Sequence, residues 1–187
     1  FLIKADETLN SCQIINNILT VNCDECYENL PKKVILALKY LYEYTDYTYF
    51  IKIDDDIKIN KEYLQKYLDN NFYNLDYLGA RAGGQVQLNW HFGKCKNEEL
   101  NKKLYWNSNK GYWCGGGFGY ILSKKAVSLL LKDPNFEHIY NEIYEDKAIG
   151  DVLRKEGIVT SFEILPELKI SKKKGLVGDD YIFIANH

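Results

Sequence analysis

The chain alternates between short apolar runs of strand length and longer segments with helical periodicity. Two early apolar runs, at residues 1–5 and within residues 14–21, have the length of strands. Residues 30–44 repeat apolar positions at spacings of three and four, as on one face of a helix. Pro31 lies in the first turn of this helix, where a missing N–H is tolerated.

The next segments continue the alternation. Residues 47–53 are rich in aromatic and β-branched side chains and end in three aspartates, which predicts a strand followed by an acidic turn. Asn60 is a natural N-cap for a helix at 61–70. The remaining predicted elements are strands at 57–59, 77–80, 158–164 and 181–185, an aromatic, glycine-rich segment at 112–122, and helices at 124–131 and 144–156. This alternation predicts an α/β sheet covered by helices on both faces.

Two segments interrupt this pattern. Residues 81–111 are long, polar and weakly patterned, which is typical of a functional or mobile loop. The pair Asp133-Pro134 is expected to end the helix at 124–131, because the residue before a proline avoids helical geometry.

Composition narrows the class of protein. The chain has 187 residues, 46% hydrophobic and 27% charged, with a formal net charge of -2, which predicts a single globular domain over residues 1–187. This nearly balanced charge argues against nucleic acid as a partner. There is no apolar stretch long enough for a transmembrane helix or a signal peptide. A chain that lacks Met and opens on a strand is expected to be a processed product or part of something longer.

The chemically strongest feature is the acidic turn Asp54-Asp55-Asp56 at the end of the strand predicted at 47–53. In open α/β sheets, ligands bind beyond the carboxyl ends of strands. Adjacent carboxylates repel one another and need water, hydrogen-bond donors or a cation nearby. Oxygen ligands favour Mg²⁺ or Mn²⁺, which can bridge the phosphates of a nucleotide. A solvated acidic turn is the alternative, but the apolar residues on both sides favour a metal site.

A second feature is the run Gly115-Gly116-Gly117 between aromatic residues. Glycines let backbone N–H groups approach a ligand, and the flanking Trp and Tyr rings offer flat surfaces for a sugar or a base. The run lacks the Gly-Lys-Ser/Thr of a phosphate loop and the G-x-G-x-x-G pattern. By itself it is equally compatible with a tight bend in a packed sheet.

A third feature is the pair Glu145-Asp146 at the start of the helix predicted at 144–156. Acids in a first helical turn are stabilised by the helix dipole by about 0.3–1 kcal/mol, so ordinary capping is one interpretation. A general base that faces a substrate hydroxyl is the other.

Taken together and in this order, the three features resemble glycosyltransferase family 31, the β-1,3-galactosyltransferase and fringe type. The likeness begins at Tyr27-Glu28-Asn29-Leu30, which resembles the family's Tyr-x-Asn-Leu motif. It continues through the acidic segment 50–60, the segment 112–123 with its Tyr-x-x-Ser ending, and Glu145-Asp146 up to Gly150. The resemblance covers roughly residues 1–158.

The resemblance implies a GT-A fold: an α/β, Rossmann-like, mixed but mostly parallel sheet with helices on both faces. It also implies an inverting glycosyltransferase that uses Mn²⁺ or Mg²⁺, a UDP-sugar donor and a hydroxyl of a glycan or protein-linked acceptor. By the same resemblance, Asp56 and His187 would ligate the metal, and Asp146 would be the base for the acceptor hydroxyl. The residues expected to bind the donor are Asp54, Asp55, Gly115, Gly116, Gly117 and Lys174. Such a metal would stabilise the negative charge that develops on a departing nucleoside diphosphate.

The sequence also departs from the family pattern. Lys147 replaces the usual Val after Glu-Asp, and Pro31 replaces Thr after Asn29-Leu30. The family's first strand and its Arg-rich segment, which help to hold the nucleotide base, have no counterpart, so the N-terminal part is expected to be missing or reduced. His91 and His138 match no family motif and are interpreted as surface or structural residues.

Two alternatives to a transferase stay open. One is a non-catalytic module of the same fold that binds nucleotide sugars or glycans. The other is a metal-dependent phosphotransferase or hydrolase that uses Asp54, Asp55 and Asp56. The latter would need a further nucleophile or a Lys/Thr set on neighbouring strand ends, which the sequence does not assign.

Overall fold

The structure, a computed structural model, describes residues 1–71, 75–107 and 111–161, together with a strand at Phe183–Ala185. Five helices lie in this described part: α1 (Leu30–Tyr44), α2 (Lys61–Asn71), α3 (Lys124–Leu130), α4 (Asn135–Tyr140) and α5 (Glu145–Lys155). The strands are β1 (Leu2–Ala5), β2 (Gln13–Ile15), β3 (Ile18–Val21), β4 (Tyr49–Lys52), β5 (Ile57–Ile59), β6 (Tyr77–Gly79), β7 (Arg81–Gly83), β8 (Val86–Leu88), β9 (Tyr105–Asn107), β10 (Tyr112–Cys114), β11 (Tyr120–Ser123), β12 (Thr160–Ser161) and β13 (Phe183–Ala185).

A four-stranded sheet with the order β12-β6-β11-β4 forms the centre of the fold. Strand β11 lies between β4 and β6 and is antiparallel to both, with Ile121 opposite Ile51 on one side and Leu78 on the other. Strand β12 pairs with β6 in parallel. Of the strand predicted at 158–164, residues 158–159 are not in a strand and 162–164 lie outside the described residues. This central sheet carries the acidic turn at the end of β4.

The expectation of a mostly parallel sheet is wrong for the described strands. Two described pairings, β1 with β3 and β12 with β6, are parallel, and the others are antiparallel. The physical reason is that the segment β10–β11 runs back alongside the segment β6–β7, with β10 antiparallel to β7 and β11 antiparallel to β6. Only a strand that returns through a long crossover can pair in parallel.

Helices cover both faces of the central sheet, as the alternation predicted. Phe50, Tyr77 and Leu122 point to one face and pack in a core with residues of α1, α3 and α5. Leu78 and Ile121 point to the other face, where residues of α2 cover them. Successive strand residues alternate between faces, so each strand contributes to both cores. Each fully buried apolar side chain contributes about 1.5–3 kcal/mol to the stability of this arrangement.

A separate three-stranded sheet with the order β1-β3-β2 packs against α1. The apolar run within residues 14–21 is here divided into a hairpin, because Asn16 and Asn17 both adopt positive φ values, 49° and 64°. Two central residues with positive φ are the geometry of a tight hairpin turn, and Asn tolerates it better than most residues.

Two segments are more ordered than the sequence suggests. The polar region at 81–111 contains β7, β8 and β9, which form two-stranded ribbons with β10 and with each other, although residues 108–110 are outside the described part. Helix α4 was not predicted. Pro134 does end the preceding helical segment, but it also stands at the N-cap of α4, a position where its missing N–H is tolerated.

In the described part of the chain, none of the helices has the length and apolar character required to cross a membrane.

Candidate active site

Tight packing between β10 and α5 brings the glycine run and the Glu145-Asp146 pair together. Gly150 lies on the face of α5 that meets β10, where a built Cβ would be 2.3 Å from the Cβ of Trp113. A larger residue would therefore push the helix away from the strand. Trp113 itself is fully buried. This close contact fixes the N-terminus of α5 beside the glycine turn that follows β10.

The glycine turn is tied to its surroundings by backbone hydrogen bonds. The Gly115 N–H donates to the carbonyl of Ala80 at 2.8 Å, and the Gly116 N–H donates to Oδ2 of Asp146 at 2.8 Å. A Cβ at Gly116 would lie 2.8 Å from Oε2 of Glu145. Because a side chain at this position would collide with a buried carboxylate, glycine is required here by close approach.

Asp146 is held in a fixed orientation by the backbone. Its Oδ2 accepts from Gly116, and its Oδ1 accepts from the Lys147 N–H at 2.7 Å. Burial raises the pKa of Asp146, and these two N–H groups partly oppose the rise. The result is a half-buried carboxylate whose proton affinity is above the ordinary range, as a general base requires.

Glu145, its neighbour, is almost fully buried at 4% exposure. Its Oε1 accepts a 2.8 Å hydrogen bond from the hydroxyl of Tyr120, and the ammonium of Lys52 lies 3.7 Å from the same oxygen. Burial raises the pKa of Glu145 to about 7, while the charge of Lys52 opposes the rise. Its burial and these two contacts favour a supporting role for Glu145.

Lys52 links the acidic turn to the other two features, although no sequence motif singles it out. Its ammonium forms an ion pair with Oδ1 of Asp54 and donates to the carbonyl of Gly116 at 3.0 Å. Burial lowers the pKa of Lys52, but the carboxylates of Glu145 and Asp54 outweigh it and the net pKa is raised. Lys52 therefore stays protonated among these acids.

The acidic turn lies opposite the glycine turn. Asp54 is partly exposed, and its Oδ2 lies 4.0 Å from the position that a Cβ on Gly117 would occupy. Asp55 is exposed and Asp56 is half-buried. The turn is closed by a 3.2 Å hydrogen bond from the Ile57 N–H to the carbonyl of Asp54. The three features of the sequence thus converge on one site.

The structure describes only some of the residues that the sequence predicts to bind metal and donor. Lys174 and His187, expected to contact the donor and the metal, lie outside the described residues. Among the residues that are described, no three His, Cys, Asp or Glu side chains form a cluster that could hold a metal ion. The oxygen atoms of the acidic turn nevertheless have the right chemistry for Mg²⁺ or Mn²⁺, which proteins commonly hold by one or two carboxylates together with substrate phosphates.

His91 is a structural residue. His91 is fully buried, and its Nε2 lies 2.8 Å and 3.0 Å from the carbonyl oxygens of Leu100 and Lys103. Carbonyls only accept, so Nε2 carries the proton and Nδ1 accepts from the hydroxyl of Tyr144. His138 is half exposed on α4. Both positions agree with their interpretation as surface or structural residues.

Comparison with known proteins agrees with this arrangement. The family model described as galactosyltransferase matches residues 5–161, a range that contains all three features. The chain belongs to the galactosyltransferase family. The resemblance drawn from the sequence motifs is thereby confirmed, and a glycosyltransferase domain spans most of the chain. The match also favours a transferase over the phosphotransferase or hydrolase alternative.

A relative of this galactosyltransferase-family chain is the human protein named UDP-GalNAc:beta-1,3-N-acetylgalactosaminyltransferase 2. The two are 28% identical over 146 residues, which cover 73% of this chain and 26% of the relative. The chain thus spans about a quarter of the length of that relative.

The departure at Lys147 has a local explanation in this galactosyltransferase-family chain. Its ammonium forms a 2.6 Å ion pair with Oδ2 of Asp151, one turn further along α5. The Lys147 ammonium therefore lies along the helix next to Asp151, while the Lys147 backbone N–H still donates a hydrogen bond to Asp146. The replacement of Val therefore leaves the carboxylate geometry intact.

Two tyrosines complete the surroundings of the galactosyltransferase-family site. The sequence presents Tyr120 only as part of an aromatic segment, yet its hydroxyl donates a hydrogen bond to Glu145. The motif that contains Tyr27 predicts no role for this residue. Tyr27 packs against the core cluster that contains Trp113 and Tyr144, and burial, with the charge of Asp146, raises its pKa to about 12. Tyr120 lies opposite Lys52 in the sheet, and this position indicates its role beside Glu145. The sequence alone does not reveal this pairing, because it depends on the strand register.

Proposed function

We propose that this domain is a metal-dependent inverting glycosyltransferase that moves a sugar from a UDP-sugar to an acceptor hydroxyl. The observation that carries the proposal is the continuous series of polar contacts from Asp54 through Lys52 and Gly116 to Asp146. This series of contacts connects Asp54, the acid proposed to bind the donor, with Asp146, the acid proposed to deprotonate the acceptor. A direct displacement needs donor and acceptor to be held next to each other.

The donor would lie between the acidic turn and the glycine turn. Asp56 would hold a divalent cation together with the donor's diphosphate oxygens, and Asp54 and Asp55 would contact the nucleoside. Gly117 is exposed, and the nearest described neighbour of a Cβ there would be Oδ2 of Asp54 at 4.0 Å, which leaves room for the diphosphate or the sugar. Gly115 and Gly116 are buried with their N–H groups donated to Ala80 and Asp146, so they would shape the turn without contacting the donor. When bound, the cation supplies positive charge that stabilises the departing UDP.

Asp146 would act on the acceptor. Its carboxylate takes the proton of the acceptor hydroxyl as the oxygen attacks the anomeric carbon. The bond from the anomeric carbon to the donor phosphate oxygen breaks, and UDP leaves with the bonding electrons. A single displacement of this kind inverts the anomeric configuration. The raised pKa of Asp146 supports this role, because a base is most effective when its pKa approaches the working pH.

The relative's name and the family support a choice of donors to test. The human relative is named for UDP-GalNAc and a β-1,3 linkage, and the family for galactosyl transfer. We therefore place UDP-galactose and the UDP-N-acetylhexosamines first among the donors to be tested, with glycan and protein-linked hydroxyls as acceptors.

A panel of UDP-sugars tests this proposal. Release of UDP is measured with Mn²⁺, with Mg²⁺ and with a chelator, in the presence and absence of acceptor glycans. The expected result is metal-dependent release from one donor class that increases with acceptor. Thermal stabilisation by UDP without any turnover would support the non-catalytic module instead. Neither stabilisation nor turnover with any donor would contradict both.

A further inference from the structure

The ammonium of Lys52 lies at the meeting point of all three features. We propose that Lys52 is a positioning residue that holds the donor-side acid Asp54 and the acceptor-side pair Glu145-Asp146 in one arrangement. This assignment rests on the proposed function, because the two acids matter together only if donor and acceptor meet between them.

The ammonium of Lys52 contacts three oxygen atoms from three separate segments, two by hydrogen bonds and the third by charge alone. They are Oδ1 of Asp54, the carbonyl of Gly116 at 3.0 Å and Oε1 of Glu145 at 3.7 Å. With its side chain only 15% exposed, the lysine has little solvent to compete for these positions.

Strand register explains why the charge reaches Glu145. Lys52 on β4 lies directly opposite Tyr120 on β11, so the two side chains leave the same face of the sheet. Both contact the same oxygen of Glu145, Tyr120 by a hydrogen bond and Lys52 by its charge. The first residue of α5 is thus held from the central sheet by two neighbouring strands.

Gly116 carries the arrangement on to Asp146 through the two peptide groups that flank it. Its carbonyl accepts from Lys52, while its N–H donates to Oδ2 of Asp146. Loss of the ammonium would leave the Gly116 carbonyl without this donor, and Asp54 and Glu145 without their shared counter-charge. The donor-side acid Asp54 would then lose the contact that holds it relative to Gly116 and to the Glu145-Asp146 pair.

Stability alone is a weak reason to keep a buried lysine here. Removing a charge from water is costly, and an apolar residue of similar size often stabilises a fold equally well. A structural ion pair would also need only one carboxylate. Contacts with three distant segments are needed, by contrast, to hold a donor-binding acid and an acceptor-binding acid in a fixed position relative to each other.

The test compares Lys52→Met, Glu145→Gln and the double variant with the wild-type protein. Affinity for UDP in the presence of Mn²⁺ is measured by titration, and turnover is measured with the preferred donor. We expect the double variant to bind UDP roughly 10-fold or more weakly than Glu145→Gln alone, as is typical when an outer positioning contact is lost. Lys52→Arg, which keeps the charge, should recover part of the affinity that Lys52→Met loses.

Lys33→Met is the matched control. Lys33 is 17% exposed and forms a 2.7 Å ion pair with Glu25 away from the three features. We expect this variant to lower the melting temperature without changing the affinity for UDP.

The outcomes separate this inference from the proposed function. If the double variant binds UDP as well as Glu145→Gln does, Lys52 is only the counter-charge of Glu145 and the positioning role is wrong. If Lys33→Met weakens UDP binding as much as Lys52→Met, the effect is one of general stability and the role is again wrong. A wild-type protein that neither binds UDP nor turns over a donor contradicts the proposed function itself, and this assignment with it.

Discussion

The Gly116 N–H donates a 2.8 Å hydrogen bond to Oδ2 of Asp146, and this bond joins two motifs that are 30 residues apart in the chain. It explains why the glycine run and the Glu-Asp pair belong to one site. The glycine turn donates a backbone N–H to the carboxylate, and this bond fixes the orientation of the proposed base.

Gly116→Ala tests whether this close approach is required. The new methyl group would lie 2.8 Å from Oε2 of Glu145, so the turn or the helix has to shift. We expect the free energy of unfolding to fall by about 1–3 kcal/mol, as for other overpacked sites. Urea unfolding measures this change.

Gly117→Ala is the control for that experiment. A Cβ at Gly117 has Asp54 Oδ2 as its nearest described neighbour, at 4.0 Å, which leaves room for a methyl group. Its unfolding free energy should stay within about 0.5 kcal/mol of the wild type. Equal losses at both positions would contradict the packing argument.

Asp146→Asn tests the proposed base. The amide keeps the size of the side chain but cannot take a proton from the acceptor, so kcat should fall by about 100-fold or more while UDP still binds. Asp151→Asn, on the same helix, removes ion pairs with Lys147 and Arg154 and should leave kcat unchanged. Full turnover by Asp146→Asn would move the base role to Glu145.

Glu145 should make the stability of the protein depend on pH. Its pKa is raised from 4.5 to about 7 in the folded protein, so between these values the folded protein keeps a proton that the unfolded chain has lost. The contribution of this proton is complete below pH 4.5 and is lost as the pH rises to 7. The loss amounts to ~3 kcal/mol, from about 1.4 kcal/mol for each pKa unit.

Urea unfolding of the wild type and of Glu145→Gln from pH 4 to pH 8 measures this effect. The glutamine cannot titrate, so the free energy of unfolding of the wild type should decline relative to the variant as the pH rises. A difference between the two proteins that stays constant over this range would show that Glu145 is not buried as described.

Asp56→Ala tests metal-dependent donor binding. UDP with Mn²⁺ should raise the melting temperature of the wild type, because a ligand that binds only the folded state stabilises it, and a chelator should abolish the rise. The variant should lose this response. Asp69→Ala, at an exposed acid on α2, should keep it. An unchanged response in Asp56→Ala would remove Asp56 from the site.

Local pattern was sufficient for most of the elements. The helical spacing at 30–44 and the Asn60 cap predicted α1 and α2, and the aromatic run before the acids predicted β4. Helix α4 was missed because Pro134 is both a stop signal and a favourable start. The hairpin at Asn16-Asn17 was missed because the apolar residues on both sides read as one continuous run.

The amino-acid sequence by itself determined the acidic turn, the glycine run and the Glu145-Asp146 pair, because each is a contiguous group of residues whose chemistry can be recognised without its spatial neighbours. The order of these motifs along the chain then determined the family. Only the tertiary structure decided the direction of β11 and the meeting of Lys52 with Asp54, Gly116 and Glu145. Strand direction and register depend on how distant segments pack, and a lysine in a strand looks the same in sequence whether it faces water or three oxygen atoms.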